Sequence, residues 1–359
     1  MFRAVKARLE MILDTKAAIS VASGYKKAKQ SLLCMLFWTK SFTTQQVKMS
    51  PTYPSFTPTY HHDQYPAIDP TQLDLDCSGK IVLITGAGAG IGQAIAVAFA
   101  KAHAKAIVLL GRTRSTLEHV AGEVKTASNG KTVAFITTAD ITSQSQVQAA
   151  FDSAIDHFGT VPDVLVNNAG GLVGIGSLID VEIDEFMKAF ELNVRGPTTV
   201  AQTFLRACRK HAQETPRTVI NLPSGAAHLP YAPTAASYSC SKLANAKLTE
   251  YLYHENPSWN VFNMQPGVVQ TELARQAGRK AEDKPELPAG FAVWLAAHPS
   301  ARELNGRFIW ANWDINEVLE RREEIQEKDL LTLTLKGWAE DFNAEDLKRR
   351  AASVARNAK

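Results

Sequence analysis

The sequence predicts an α/β fold built on a doubly wound parallel sheet, forming one domain with extensions at both ends. Two observations predict it: short apolar strands alternate with helical segments from residue 80 onward, and a glycine-rich turn joins the first strand to the first helix. The strands are apolar along their whole length, which is typical of parallel strands covered on both faces. In such sheets, ligands bind beyond the carboxyl ends of the strands.

The predicted elements follow one another in regular alternation. Apolar runs bounded by turn residues predict strands at 80–85, 106–110, 132–137, 164–167, 218–222, 259–264 and 306–310. Helical periodicity predicts helices at 91–102, 115–126, 145–158, 184–211 and 237–253. In the tail, a charged helix is predicted at 316–328, followed by an apolar run at 330–335. The tail could pack on the domain surface or bind a partner.

Four segments are distinguished along the chain. Residues 1–48 are a basic leader with nine Lys and Arg against two acids, 49–78 a Pro-rich extended arm, 79–314 the folded domain and 315–359 a helical C-terminal extension. The leader could be non-functional, with Met49 as the working start, or it could serve organelle targeting or surface attachment. We expect a cytoplasmic protein, or a mitochondrial one if the leader is used.

Composition excludes several classes of protein. The chain has 359 residues and 45% hydrophobic content, and its apolar run at 32–38 is too short to span a bilayer, so no membrane span is expected. Beyond the leader there are 30 basic and 34 acidic residues, which predicts no nucleic-acid partner. The four cysteines lack metal-ligand or disulfide spacing, so no metal site and a reducing compartment are expected.

A glycine-rich turn follows the first strand and reads Thr85-Gly86-Ala87-Gly88-Ala89-Gly90-Ile91-Gly92. Glycines here permit a tight turn and a close approach of backbone to a pyrophosphate, while the helix N-terminus attracts the phosphate charge. The strict dinucleotide spacing of glycines is not met, because its sixth position is Ile91. The context favours nucleotide binding and a Rossmann-type domain over a purely structural turn.

The end of the second predicted strand indicates which dinucleotide is bound. An NAD enzyme usually places a carboxylate there to accept from the adenosine ribose, whereas this chain has Gly111 and Arg112. A guanidinium can bind a 2′-phosphate through two hydrogen bonds. The sequence therefore predicts NADP(H), with NAD(H) less favoured, although Arg112 could be an ordinary surface arginine.

A tyrosine and a lysine four residues apart open a helix in the second half of the domain, at Tyr238 and Lys242. This spacing places both side chains on one helical face. The spacing alone means little, because Tyr25 and Lys29 share it within the basic leader. The position after a strand and a Ser-Gly loop distinguishes Tyr238.

Residues 79 to about 275 resemble the classical short-chain dehydrogenase/reductase family. The motifs that carry the resemblance occur in order: Thr85, Gly86, Gly90 and Gly92 in the glycine turn; Asp140-Ile141; Asn167-Asn168-Ala169-Gly170; Asn193; Ser224; Tyr238 and Lys242; and Pro266, Gly267 and Thr271. The stretch 308–314 also resembles the ends of fungal members thought to serve secondary metabolism. Two departures are Pro223 before the serine and a separation of 14 residues between Ser224 and Tyr238.

The resemblance implies a role for each of these positions. Tyr238 would exchange a proton with the substrate oxygen, Ser224 would hydrogen-bond that oxygen, and Lys242 would stabilise the phenolate and hold the nicotinamide ribose. Asn193 would support a water that leads protons to Lys242, or it could bond backbone at a helix bend. The other motif positions would bind the cofactor: Thr85, Gly86, Gly90, Ile91, Gly92, Arg112, Asp140, Ile141, Asn167, Pro266, Gly267 and Thr271. Thr271 could also cap the next helix.

The predicted function is interconversion of a carbonyl and a secondary alcohol on a small, lipophilic substrate. The segment 272–286 is expected to form a lid, and 171–178 and the loop 225–236 the other walls; His228 in that loop could act as a further acid/base or simply pack. A redox-neutral epimerase or dehydratase and a non-catalytic cofactor-binding sensor are the alternatives. The resemblance also implies a homo-oligomer.

Overall fold

In the computed structural model, which describes residues 53–211, 215–276 and 281–337, seven strands form one parallel sheet. They are β1 (Ile81–Thr85), β2 (Ala106–Gly111), β3 (Val133–Thr138), β4 (Val164–Asn167), β5 (Thr218–Asn221), β6 (Asn260–Gln265) and β7 (Phe308–Trp310). Their order across the sheet is β3-β2-β1-β4-β5-β6-β7. The chain reverses its direction of growth between β1 and β4, which opens a crevice at their carboxyl ends. The predicted doubly wound sheet is confirmed.

Helices cover both faces of the sheet. They are α1 (Gly90–Lys101), α2 (Arg114–Ala127), α3 (Gln144–Phe158), α4 (Ile183–Phe190), α5 (Gly196–Lys210), α6 (Ala236–Glu255), α7 (Glu272–Gln276), α8 (Glu286–Ala297), α9 (Ile315–Glu320) and α10 (Arg322–Glu327). Successive side chains of a strand point to opposite faces, so Val82 and Ile84 join one hydrophobic core while Ile81 and Leu83 join the other.

The long helical stretch predicted over 184–211 is observed, with a local change in its hydrogen-bond pattern. A π-helical turn, Glu191–Arg195, separates α4 from α5. Pro197 in the first turn of α5 has no N–H to donate to the carbonyl of Asn193 four residues earlier. The side chain of Asn245 donates to that carbonyl instead, over 2.8 Å. The π-helical turn brings Asn193 close to α6.

The Pro-rich segment before Gly79 packs on the domain. It contains two short 3₁₀ helices, Pro66–Ile68 and Leu73–Leu75. Four of its side chains are buried in the same core as α1 and α8: Tyr65, Ile68, Leu75 and Cys77. The sequence places the start of the folded domain at Gly79, whereas the core already includes these earlier residues.

The predicted charged helix at 316–328 forms two shorter helices, α9 and α10. The break falls at Arg321, whose guanidinium lies 3.7 Å from the ring centroid of Phe56 and donates to the carbonyl of Phe56 over 2.8 Å. The backbone of Arg321 leaves helical geometry there, with φ −101° and ψ 13°. Within the described ranges, no helix has both the length and the apolarity needed to cross a bilayer. The leader 1–48, Met49 and the end of the tail lie outside the described residues.

Candidate active site

A cleft of about 620 Å³ lies at the carboxyl ends of the strands. Its volume is within the range typical of small-molecule and cofactor sites. Twelve predicted site residues line it: Gly86, Gly90, Ile91, Arg112, Asp140, Ile141, Ser224, Tyr238, Lys242, Pro266, Gly267 and Thr271. Four others, Thr85, Gly92, Asn167 and Asn193, are not part of the lining. The fold therefore brings both ends of the predicted cofactor site into one cavity.

The glycine turn requires glycine at the positions that the sequence singles out. Gly86 and Gly90 have positive φ angles of 66° and 58°, in the left-handed region. A Cβ atom added to Gly92 would lie 2.3 Å from the carbonyl oxygen of Gly86, so only glycine fits. The turn leads directly into α1, whose first N–H groups face the cleft end where a pyrophosphate would be attracted.

Thr85 supports this turn from behind. Its hydroxyl oxygen accepts hydrogen bonds from the backbone N–H groups of Asn168 and Ala169, both at 3.0 Å. The side chain of Asn168 donates in turn to the carbonyl of Thr85 over 2.8 Å. The ends of β1 and β4 are thereby tied together, and the glycine turn is held against the segment after β4.

Asn167 and Asn168 point in different directions. Asn167 is buried and its side chain donates to the carbonyl of Pro197 over 3.0 Å, joining β4 to α5. Asn168 lines the cleft. The motif predicts a cofactor-binding role for Asn167, whereas it is the neighbouring Asn168 that lines the cavity.

Arg112 and Asp140 stand at the far end of the cleft, beyond β2 and β3. Arg112 is exposed at the rim. Asp140 accepts hydrogen bonds from the N–H and hydroxyl of Thr142, over 2.9 and 2.8 Å. These bonds, with a smaller contribution from the charge of Arg112, hold the pKa of Asp140 below its ordinary value. This end of the cleft therefore carries a carboxylate and a guanidinium together.

Tyr238 and Lys242 come from the first turns of α6. The Lys242 ammonium lies 5.8 Å from the centroid of the Tyr238 ring and donates to the carbonyl of Leu222 over 3.0 Å. Lys242 is only 5% exposed, and burial lowers its pKa from 10.5 to about 8. A cationic amine is thus held beside the phenol, although burying its charge costs free energy.

Asn193 positions a loop. Its side-chain oxygen accepts from the N–H of Gly171 over 2.9 Å, and its side-chain nitrogen donates to the carbonyl of Gly171 over 2.9 Å and to the Ser241 hydroxyl over 3.1 Å. A Cβ atom added to Gly170 would meet both Asn193 and Lys242 at about 3 Å. Asn193 thus makes the backbone contact that was one of its two predicted roles. Its other predicted role, supporting a water, stays a prediction.

Ser224 begins the 3₁₀ helix Gly225–Ala227, and its hydroxyl oxygen accepts from the N–H of Ala226 over 3.2 Å. That bond uses an acceptor lone pair, so the O–H of Ser224 is still able to donate toward the cleft. His228, at the end of this turn, accepts from the indole N–H of Trp310 over 3.0 Å. Burial lowers the pKa of His228, which packs against Phe308 and Trp310 outside the cleft lining.

Thr271 has both of the positions expected for it. Its hydroxyl accepts from the N–H of Ala274 over 3.3 Å, capping α7, and its side chain lines the cleft opposite Gly90. Glu272, Leu273 and Ala274 extend the same wall. The lid segment predicted at 272–286 thus begins as a short helix over the cavity, while residues 277–280 lie outside the described part.

A dinucleotide-binding α/β sheet with a tyrosine, a lysine and a serine at one end of its cleft defines a class of hydride-transferring enzymes. The family model for "short chain dehydrogenase" matches residues 80–282. Two fungal relatives are the short chain dehydrogenase mpl6 of Monascus purpureus and the short chain dehydrogenase tazN of Aspergillus terreus. The mpl6 protein is 33% identical to this chain, and the match covers 77% of this chain and 94% of mpl6. The tazN protein is 32% identical, and the match covers 83% of this chain and 68% of tazN.

A solved structure with the same fold is a 7α-hydroxysteroid dehydrogenase complexed with NADH and 7-oxo glycochenodeoxycholic acid. It matches with a TM-score of 0.59 and 28% identity, over 69% of this chain and 97% of the other. The chain belongs to the short-chain dehydrogenase family, as the sequence motifs predicted. It is therefore an oxidoreductase of the family whose members bind a nicotinamide dinucleotide.

Proposed function

We propose that this protein is an NADP(H)-dependent oxidoreductase that interconverts a carbonyl and a secondary alcohol, with Tyr238 as the acid/base. The observation that carries the proposal is that Tyr238, Lys242 and Ser224 share one cleft with the glycine turn at Gly86. Groups that would bind phosphate and groups that would exchange a proton thus line a single cavity.

The residues of the cleft fit a nicotinamide dinucleotide. The glycine turn and the start of α1 would hold the pyrophosphate, and Asp140 and Ile141 the adenine end. Lys242 would hold the nicotinamide ribose, and Thr271 the carboxamide. When bound, the nicotinamide supplies or accepts the hydride.

The preference for NADP(H) rests on Arg112. Its guanidinium stands at the end of β2, where a carboxylate would repel a 2′-phosphate, and it is exposed enough to reach one. Replacing Arg112 by Ala should weaken NADPH binding roughly tenfold or more and leave NADH binding nearly unchanged. Calorimetric titration of both cofactors measures this, with Arg114→Ala, two residues further on, as the control. Equal losses for both cofactors would contradict the preference.

The proton chemistry belongs to three side chains. A free phenol titrates near pH 10 and exchanges protons poorly at neutral pH, so Tyr238 needs a nearby positive charge to favour its phenolate. Lys242 provides that charge from 5.8 Å away, measured to the ring centroid. Ser224 would donate to the substrate oxygen and stabilise the charge that develops on it. The phenol of Tyr238 would give its proton to the carbonyl oxygen during reduction, and its phenolate would take the hydroxyl proton of the alcohol during oxidation.

The substrate end of the cleft is mainly aliphatic. Its lining includes Leu172, Ile175, Leu192, Leu229 and Leu273, while Glu272 on the lid is charged. These aliphatic side chains favour a neutral, lipophilic ketone over a carboxylate or phosphate ester. The proposal of a secondary-metabolite substrate is supported by the resemblance of the stretch 308–314 to the ends of fungal members.

The test of the proposal is the pair Tyr238→Phe and Tyr251→Phe. Both lie on α6, but Tyr251 is 60% exposed and outside the cleft lining. With a panel of lipophilic ketones, Tyr238→Phe should lower the rate of NADPH oxidation by roughly 10²- to 10⁴-fold without changing NADPH affinity, and Tyr251→Phe should have no effect. Wild-type turnover by Tyr238→Phe would refute the acid/base role. Tight cofactor binding without turnover of any ketone would favour a sensor or a redox-neutral enzyme.

A further inference from the structure

The N-terminal arm, defined here as residues 53–65, is built into the C-terminal part of the domain. Tyr60 pairs with Trp313 in an antiparallel bridge, and the N–H of His61 donates to the carbonyl of Asn312 over 2.7 Å. Thr59 donates through its hydroxyl and its N–H to the carboxylate of Glu317, over 2.6 and 2.8 Å. These hydrogen bonds fix the path of the arm along the domain.

The same arm also holds the base of the lid. His62 Nδ1 lies 2.6 Å from Asp283 Oδ1, and the N–H of Lys284 donates to the carbonyl of His62 over 2.8 Å. The other oxygen of Asp283, a residue only 5% exposed, accepts from the N–H of Val268 over 2.5 Å. The arm is thus joined through Asp283 to the turn that places Gly267 in the cleft.

At its start, the arm enters the cleft. Tyr53 lines the same cavity as Tyr238, and its ring packs edge-on against Trp310 with 5.4 Å between centroids and 63° between planes. The indole of Trp310 is buried and lies about 3 Å from where a Cβ atom on Gly225 would be, directly under the turn that begins at Ser224. Tyr53 therefore stands at the substrate end of the cleft, on a rigid aromatic support.

We propose that Tyr53 is a specificity-determining residue, whose ring forms an aromatic wall of the substrate site and selects flat, ring-bearing ketones. The proposal rests on the proposed function. The side chains of Leu172, Ile175, Leu192, Leu229 and Leu273 are aliphatic, so Tyr53 adds a π face to the cavity that Tyr238 also lines. Aromatic rings prefer offset or edge-on contact with another ring, which an aliphatic wall does not offer. The selectivity thus comes from a segment that precedes the dinucleotide-binding domain in the sequence.

The test compares two ketones with full-length variants. Tyr53→Leu removes the ring but keeps apolar bulk, and Tyr53→Phe keeps the ring. Tyr251→Leu is the control, because Tyr251 is 60% exposed on α6 and outside the cleft lining. Tyr53→Leu should raise KM for 2-acetylnaphthalene roughly tenfold, which corresponds to about 1.4 kcal/mol. Its kcat, its KM for NADPH and its KM for 2-butanone should stay unchanged, and Tyr53→Phe and Tyr251→Leu should match the wild type.

Two results would overturn the proposal: an unchanged preference for the aromatic ketone in Tyr53→Leu, or an equal loss for both ketones. If the wild type turns over neither ketone, the proposed function fails, and the role of Tyr53 is then judged by binding alone. Calorimetric titration of the NADPH-loaded protein with 2-acetylnaphthalene should show weaker binding to Tyr53→Leu than to the wild type. Equal binding, or none to either protein, would also overturn it.

Discussion

Replacing Lys242 by Met should stabilise the cofactor-free protein at pH 7 while weakening its function. Lys242 is 5% exposed, and burial lowers its pKa from 10.5 to about 8. At about 1.4 kcal/mol for each pH unit, keeping this ammonium charged in the folded protein costs about 3 kcal/mol. Methionine has similar length and no charge, but it loses the hydrogen bond to Leu222, worth about 1 kcal/mol. The variant should therefore be more stable by about 2 kcal/mol at pH 7.

The higher stability of Lys242→Met relative to the wild type should disappear as the pH rises. The folded protein releases the Lys242 proton near pH 8, whereas the unfolded chain keeps it until about pH 10.5. Between these values the unfolded state binds more protons, so the wild type gains stability with increasing pH. By pH 9.5 the wild type has gained about 2 kcal/mol of stability. The free energies of unfolding of the wild type and Lys242→Met should then be nearly equal.

Urea unfolding followed by tryptophan fluorescence, at pH 7 and pH 9.5, measures both values. Lys247→Met is the control, because Lys247 lies on the same helix and its side chain is 53% exposed. Other titrating groups are shared by the variants and cancel in the comparison. A stability difference that does not narrow between the two pH values would refute the burial cost of Lys242. The same variant should bind NADPH more weakly and turn over more slowly, since the charge is expected to act on both cofactor and phenol.

Two further substitutions test the supports of the cleft. Gly92→Ala places a Cβ atom 2.3 Å from the carbonyl oxygen of Gly86, so thermal unfolding should show a loss of about 1–3 kcal/mol. The control Gly122→Ala, on α2 with open space around it, should instead stabilise the folded protein by up to about 1 kcal/mol. Similar effects of the two alanines would contradict the crowding at Gly92. Asp283→Ala leaves the N–H of Val268 and the side chain of His62 without their acceptor, which should cost about 3 kcal/mol in urea unfolding. An unchanged unfolding midpoint would show that Asp283 does not hold the arm to the lid.

The elements that the sequence predicted well are those whose signal is local. The predicted and observed bounds of β4 coincide at Val164–Asn167, and the other strands shift by one or two residues at an end. A continuous apolar strand between turn residues has few other ways to be buried. The helical stretch predicted at 184–211 is observed, but the sequence did not predict the π-helical turn within it, just before Pro197. The replacement donor, Asn245, lies on another helix, so no local pattern announces it.

The sequence by itself determined the order of strands and helices, the glycine turn and the motifs that mark the family, because covalent order places these loops at one edge of a parallel sheet. Tertiary structure alone decided which asparagine of the Asn167-Asn168 pair faces the cleft, how deeply Lys242 is buried and where the N-terminal arm lies. The arm is held by contacts such as that between Thr59 and Glu317, which are 258 positions apart. Such pairings depend on the assembled surface of the whole domain, and the packing that creates that surface also brings Tyr53 to the cleft.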